Sequence, residues 1–228
     1  MKKYMKLLQQ TRLFHGIDET DIAKILPCLL ATEKEYQKGT YVFRAGDTIS
    51  SVALLLEGSI YIQKEDFWGN LSILNEIRIG ELFGESYAAP ESGCMLHNAL
   101  AVKDSTILLL NFQKMLTVCS SSCAFHTHLI QNLFILLSAK NRMLAQKINH
   151  MSKRSTREKL LSYLSEQAQR AGSSTFSISF NRQQLADYLS IDRSAMSNEL
   201  SKMQKEGILT FHKNQFTLLK NPLSVLSY

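Results

Sequence analysis

Apolar residues recur at helical spacing between Asp18 and Leu30, and from about Tyr36 the period shortens. Between Tyr36 and Leu110 the chain breaks into short β-type runs, among them YVFRAG, SVALLLEG, SIYIQKED, LSILNEIRIG and NALAVKDSTILLL. Gly39, Gly46, Gly58, Gly69 and Gly80 punctuate these runs at intervals of 7 to 12 residues, the turn spacing of a compact sandwich or barrel. The pattern predicts an all-β roll with helical flanks. From about Leu116 to Arg170 neither proline nor glycine occurs. Within that segment Ile130, Phe134, Leu137, Asn141, Leu144, Ile148 and Met151 follow alternating steps of four and three, the seam of a two-stranded coiled coil. The repeat spans three heptads, so a helix packed against its own β-roll competes with a parallel homodimer. Asn141 favours the dimer, because a polar seam residue can pair with its twin across a symmetry axis and fix register.

Met151-Ser-Lys-Arg-Ser-Thr-Arg is polar, basic and off the seam, and reads as a hinge. A helix around Arg157 to Arg170, the break AGSST, a short strand FSISF and a tri-helical pattern with a terminal hairpin follow. The expected organisation is a sensor roll over 1–115, a central dimerisation helix and hinge over 116–152, and a third domain over 153–228.

Composition narrows the class. The chain has 228 residues, 45% of them hydrophobic, enough for one large or two modest cores. No stretch approaches the roughly 20 unbroken apolar residues of a membrane span. The start, MKKYMKLLQQTRLF, lacks the apolar block of a signal peptide, so a cytoplasmic protein is expected. Four cysteines, Cys28, Cys94, Cys119 and Cys123, are too few for a disulfide scaffold and are expected reduced. The net charge is +6, and from Lys153 onward eleven lysines and arginines face six carboxylates. A basic excess confined to one small domain suits a polyanion such as double-stranded DNA.

The most informative stretch is NRQQLADYLSIDRSAMSNELSKMQKEGILTFHKNQFTLL. Asn181 can cap a helix carrying Leu185, Ala186 and Leu189. After the turn LSI, Asp192 can cap a second helix carrying Met196, Leu200 and Met203. This is helix-turn-helix spacing, and the small Ala186 allows close approach of the two helices. Arg193, Ser194, Ser197 and Asn198 fall on the first turns of the second helix, opposite its apolar stripe, where this motif enters a major groove. ILTFHKNQFTLL reads as two strands joined at Lys213-Asn214, a wing able to touch phosphate; Lys202 and Lys213 join the candidate DNA contacts. No nucleophile–base pair or metal-activating motif is evident, so no catalytic residue and no enzyme activity are expected.

With these residues in view, nearly the whole chain resembles the CRP/FNR family of bacterial transcription regulators, through GELFGE in the roll, the long helix, and QQLADYLSIDRSAMSNELSKMQKEGIL. The resemblance implies an α+β protein: an N-terminal cyclic-nucleotide-binding-like β-roll, a long dimerisation helix and a C-terminal winged helix-turn-helix. It also implies a homodimer on a near-palindromic operator and contact with RNA polymerase. By that likeness Arg182 and Gln183 meet phosphate while Arg193, Ser194, Ser197 and Asn198 face base edges. Family members commonly carry a glutamate where Ser194 stands and an arginine where Asn198 stands, so the usual half-site does not transfer. Asparagine pairs with adenine, which is therefore expected opposite Asn198.

In cyclic-AMP-binding relatives a Gly-Glu pair meets the ribose and an Arg-Ser pair the cyclic phosphate. Gly84 and Glu85, followed by Ser86, match the first pair. The second falls on Met95-Leu96, which has neither charge nor hydroxyl, with His97 as a weak substitute donor. The helix positions that recognise adenine fall near Met143 and Leu144, again apolar. A desolvated phosphate needs charge-assisted hydrogen bonds, so cyclic AMP is not the expected effector. Two alternatives stay open: a cyclic-nucleotide receptor whose pocket is rearranged by the YAAPESGCMLHN loop, and a constitutive DNA-binding dimer without effector. The sequence requires no cofactor. Cys119, Cys123, His126 and His128 are metal-ligand types at generic spacing, Cys94 with His97 is a loose haem-ligand pair, and no N-terminal cysteine cluster for iron–sulfur is present; neither metal nor haem is expected.

Overall fold

The computed structural model describes residues 2–65, 67–68, 71–117 and 124–219, and the chain divides into two units, Met1–Ser138 and Ala139–Tyr228. The division falls inside one long helix, so that each unit owns part of it.

The first unit begins with helices α1 (Met5–Gln10) and α2 (Glu19–Cys28). Asp18 takes the N-cap position of α2 in extended conformation, without a side-chain bond to the first turn, and Glu19 and Asp21 occupy that turn, where negative charge suits the helix dipole. Eight strands follow: β1 (Thr32–Tyr36), β2 (Tyr41–Phe43), β3 (Ser51–Glu57), β4 (Ile60–Glu65), β5 (Leu71–Ile77), β6 (Leu82–Phe83), β7 (Asn98–Ala101) and β8 (Ser105–Asn111). They form two antiparallel sheets, ordered β1-β8-β3-β6 and β2-β7-β4-β5, the roll that the glycine spacing predicts. Gly58 shows why that spacing holds: it sits at φ +97°, and a Cβ there would lie 2.2 Å from Ser105 Oγ and 2.6 Å from the Asp104 carbonyl oxygen.

Strand β3 serves both faces of its sheet. Val52, Leu54 and Leu56 join a core with α1, α2 and the long helix, whereas Ala53 and Leu55 point into the roll and pack with Phe43, Ile60, Phe83, Met95 and Ile107. Each large side chain buried this way contributes about 1.5–3 kcal/mol. Short α3 (Phe112–Leu116), capped by Asn111, leads towards the long α4 (Ala124–Met151). Helix α4 carries two apolar stripes. Leu129, Leu133 and Leu136 are buried in the first unit's helical core, and Asn132 Nδ2 donates to the Leu13 and His15 carbonyls at 3.1 and 2.7 Å. The heptad stripe is bare instead: Phe134 is 71%, Leu144 60% and Ile148 66% exposed. Asn141 on the same stripe is exposed as well, while Ile130 and Met151 are half-buried.

The second unit comprises the end of α4, α5 (Thr156–Ala171), β9 (Thr175–Ser177), α6 (Arg182–Leu189), α7 (Arg193–Lys205), β10 (Leu209–His212) and β11 (Gln215–Leu218). Its sheet is ordered β10-β11-β9, so a third strand joins the hairpin; it covers Thr175–Ser177 and only the first two residues of the expected FSISF run. Capping boxes start α5 (Ser155 with Glu158) and α6 (Asn181 with Gln184), and Gly172 ends α5 in the left-handed conformation. Leu160, Leu164, Leu185, Leu189, Met196 and Leu200 form the centre of its core. Between α4 and α5 the residues read as a hinge form a short turn whose flanks are bonded together. His150, 2% exposed, lies 2.9 Å from Glu166 Oε2 through Nε2 and 2.8 Å from Ser162 Oγ through Nδ1, and Lys147 sits over the Tyr188 ring.

Candidate nucleic-acid interface and effector pocket

Helices α6 and α7 are joined through Ser190, which takes left-handed backbone at φ 51°, and the Ile191 N–H donates to the Ala186 carbonyl at 3.0 Å. Ala186 is fully buried at this junction, as its small side chain requires. Met196, Leu200 and Met203 turn inward from α7 as a buried stripe, and Arg193, Ser194, Ser197, Asn198 and Lys202 are all exposed. Ser194, Asn198 and Lys202 lie on the side of α7 away from that stripe and Ser197 flanks it, whereas Arg193, seven residues before Leu200, stands in line with the stripe and is exposed as the first residue of the helix rather than opposite the stripe as expected.

The tip of α7 is held locally. Asp192 Oδ1 accepts from the Ser194 hydroxyl and, at 2.8 Å, from the Ala195 N–H. These bonds, the Ser194 hydroxyl foremost, hold the Asp192 carboxyl below the usual carboxylate range. The Ser197 hydroxyl donates to the Arg193 carbonyl at 2.9 Å, which commits its hydrogen and leaves its oxygen able to accept. Gln183 donates to Asp187 Oδ1 at 2.8 Å. Arg182 sits differently: its guanidinium lies 4.5 Å from the Phe211 ring centroid and 5.3 Å from that of Phe216. Burial lowers its pKa, and one of its terminal nitrogens is buried without a hydrogen-bond partner. Lys213 occupies the wing turn at φ 54° and is exposed.

One residue escaped the sequence reading. Arg157 donates from Nε to Glu199 Oε1 at 2.6 Å and from both terminal nitrogens to Glu206 at 2.8 Å. The available signal was the seven-residue interval between Glu199 and Glu206, which puts both carboxylates on one side of α7.

The roll holds the other candidate site. Gly84 has φ +81°, and an added Cβ would lie 3.1 Å from Phe43 and 3.2 Å from Ile49, so the GELFGE turn depends on glycine there. Glu85 is half-buried and Ser86 lies beside it at the start of the loop. Met95, 3% exposed, is part of the roll's apolar interior, whereas Leu96 is exposed. His97 is half-buried and its Nδ1 lies 3.3 Å from the Tyr87 hydroxyl. Met143 and Leu144 belong to the second unit and are exposed. A cleft of about 440 Å³ is lined by residues 87–94 together with Thr48, Ile49, Ser50, Asn111 and Gln113; its lining includes the carboxylate Glu91 and no lysine or arginine.

Among the described residues no three His, Cys, Asp or Glu side chains converge as a metal site, and none of their helices is long and apolar enough to cross a membrane. Cys119 and Cys123 lie outside the described residues. His126 is buried with Nε2 3.3 Å from the Lys114 carbonyl, and His128 is exposed.

The cyclic nucleotide-binding domain pattern matches residues 33–122, and the Crp-like helix-turn-helix domain pattern matches residues 158–222. No curated protein matches the chain. Among solved structures, the chain is similar to CprK complexed with OCPA, with 18% identity and TM-score 0.63 over 86% of this chain and 91% of that one. It is also similar to the c-di-GMP responsive global regulator CLP of Xanthomonas campestris, with 18% identity and TM-score 0.57 over 90% and 100%. The sensor domain of the transcriptional regulator DNR from Pseudomonas aeruginosa aligns at 20% identity and TM-score 0.50 over 68% and 97%. These likenesses agree with the roll, long helix and winged reader built above. The chain belongs to the CRP/FNR family of DNA-binding transcription regulators, with an effector domain of the cyclic nucleotide-binding type and a Crp-like helix-turn-helix.

Proposed function

We propose that the protein acts as a cytoplasmic homodimer that reads a near-palindromic operator with α7 of each copy, under the control of a small effector or redox signal other than cyclic AMP. The observation that carries the DNA reading is the arrangement of α7: Met196, Leu200 and Met203 are buried, Ser194 and Asn198 lie on the opposite side, and Arg193 and Ser197 are exposed on the same first turns. Arg193 suits a guanine edge and Asn198 an adenine edge, each worth about 1–3 kcal/mol of discrimination. Gln183, Lys202 and Lys213 supply phosphate contacts. Arg182 joins them through its unpartnered buried nitrogen, which a phosphate oxygen would satisfy. The bare heptad stripe of α4 supports the dimer, since a second copy in register covers it and sets Asn141 against its twin. RNA polymerase is the further partner implied by family resemblance, and the protein works as a regulator rather than as a catalyst.

The effector reading rests on Met95. A cyclic phosphate at that position would lose its hydration to methyl and methylene groups. The cleft beside residues 87–94 favours a second reading, in which the effector is a neutral or cationic small molecule held there. Selection from a random-oligonucleotide pool at stated salt tests the DNA reading: a two-fold-symmetric site with adenine opposite Asn198 is expected. An Arg193→Ala protein that retards the selected duplex as well as the parent would overturn it. Micromolar cyclic AMP or cyclic GMP binding by calorimetry would overturn the effector reading.

A further inference from the structure

Arg157 stands at the start of α5, two residues after the cap Ser155, in a run that also contains Lys153, Arg154 and Lys159. Its position in a basic run suggests a phosphate contact, yet its guanidinium is turned inward. Nε meets Glu199 in the body of α7, and both terminal nitrogens meet the two oxygens of Glu206 at the C-cap of α7. The two carboxylates are seven residues apart, about two turns or 10 Å along the helix axis. A single attachment would leave α7 free to pivot about it, whereas two attachments along the axis fix both its place and its tilt. The planar guanidinium fork can serve both carboxylates at once, and a lysine point charge cannot. The other end of the link is equally held, since Ser155 and Glu158 close a capping box on the first turn of α5. The Glu206 carboxylate and the half-buried Glu199 together hold the Arg157 guanidinium well above its ordinary pKa, so the link stays charged.

We propose that Arg157 is a positioning residue that sets the tilt of α7 through Glu199 and Glu206, and so governs base selectivity without touching DNA. This rests on α7 being the reading helix. The test measures full-length parent, Arg157→Met, Arg157→Lys and Glu206→Gln on the pool-selected duplex and on a scrambled duplex of equal length, over a salt series. The expected result for Arg157→Met is a fall in the selected-to-scrambled affinity ratio on the order of tenfold, within the ordinary range of coupling between sites. Scrambled-duplex affinity and the salt slope stay at parent values. Arg157→Lys recovers part of the ratio, and Glu206→Gln lowers it with Arg157 intact. A phosphate contact would instead weaken both duplexes together and reduce the salt slope by about 0.9, which overturns the proposal. An unchanged ratio in Arg157→Met and Glu206→Gln overturns it too, and if Arg157→Met fails to fold, Glu206→Gln decides. A parent without selectivity sinks the reading of α7 and this inference together; a selective parent with unaltered variants sinks the inference alone.

Discussion

The Met95 side chain, expected from the family resemblance to stand where cyclic-AMP-binding relatives keep an arginine, is packed with Phe43, Leu55 and Ile107 inside the roll. Truncation to alanine leaves a cavity and is expected to cost about 2–5 kcal/mol, read as a lower melting temperature by calorimetry. Met95→Arg is expected to destabilise the roll without conferring cyclic AMP binding, because the new charge enters an apolar interior. The residue type was visible along the chain, but the closed interior around it was not, since periodicity assigns a face without saying how opposite strands fill the space. Arg182 is similar. Local pattern marks a cation at the start of α6, and only the fold brings Phe211 and Phe216, some thirty positions later, beneath it.

Helices α6 and α7 begin where their cap residues stand, at Asn181 and Asp192, because a short side chain that bonds the first-turn N–H groups is a local signal that tertiary context rarely overrides. Asn181→Ala is expected to cost about 1 kcal/mol in thermal unfolding of the second unit. Acid acts at two other first turns. Asp192 and Glu158 have carboxyls held below their ordinary values, chiefly by the Ser194 hydroxyl and by the Ser155 backbone N–H respectively. Folding therefore gains from both groups at neutral pH, and the gain disappears as pH falls from the ordinary carboxylate range through the lower folded-state values. Far-ultraviolet circular dichroism during acid titration checks this, and Asp192→Asn should flatten the part due to α7. The wing was less legible: its hairpin was clear from ILTFHKNQFTLL, but the pairing of β9 with β11 joins segments about forty residues apart, and no local pattern announces it.

For the molecule as a whole, α4 carries two apolar faces where its heptads marked one: Leu129, Leu133 and Leu136 pack into the first unit, and Phe134, Leu144 and Ile148 stay exposed, as the proposed pairing of two copies needs. A three-heptad seam was readable because its period is local, whereas the second stripe became apparent only with the core it fills. Leu144→Glu is expected to weaken self-association at least about a hundredfold, since an apolar contact is lost in each copy and a charge is buried, and sedimentation velocity checks it. Asn141→Leu should retain association and lose its unique register.

Pairing through the bare stripe on α4, as proposed, would also make regulation depend on dosage. If only paired copies grip the operator, then where most chains are unpaired the number of competent readers rises as the square of the amount made. Halving synthesis would leave about a quarter of them by the same mass-action argument. A gene under this protein would accordingly respond more steeply to its supply than one-to-one binding allows, before any effector is involved.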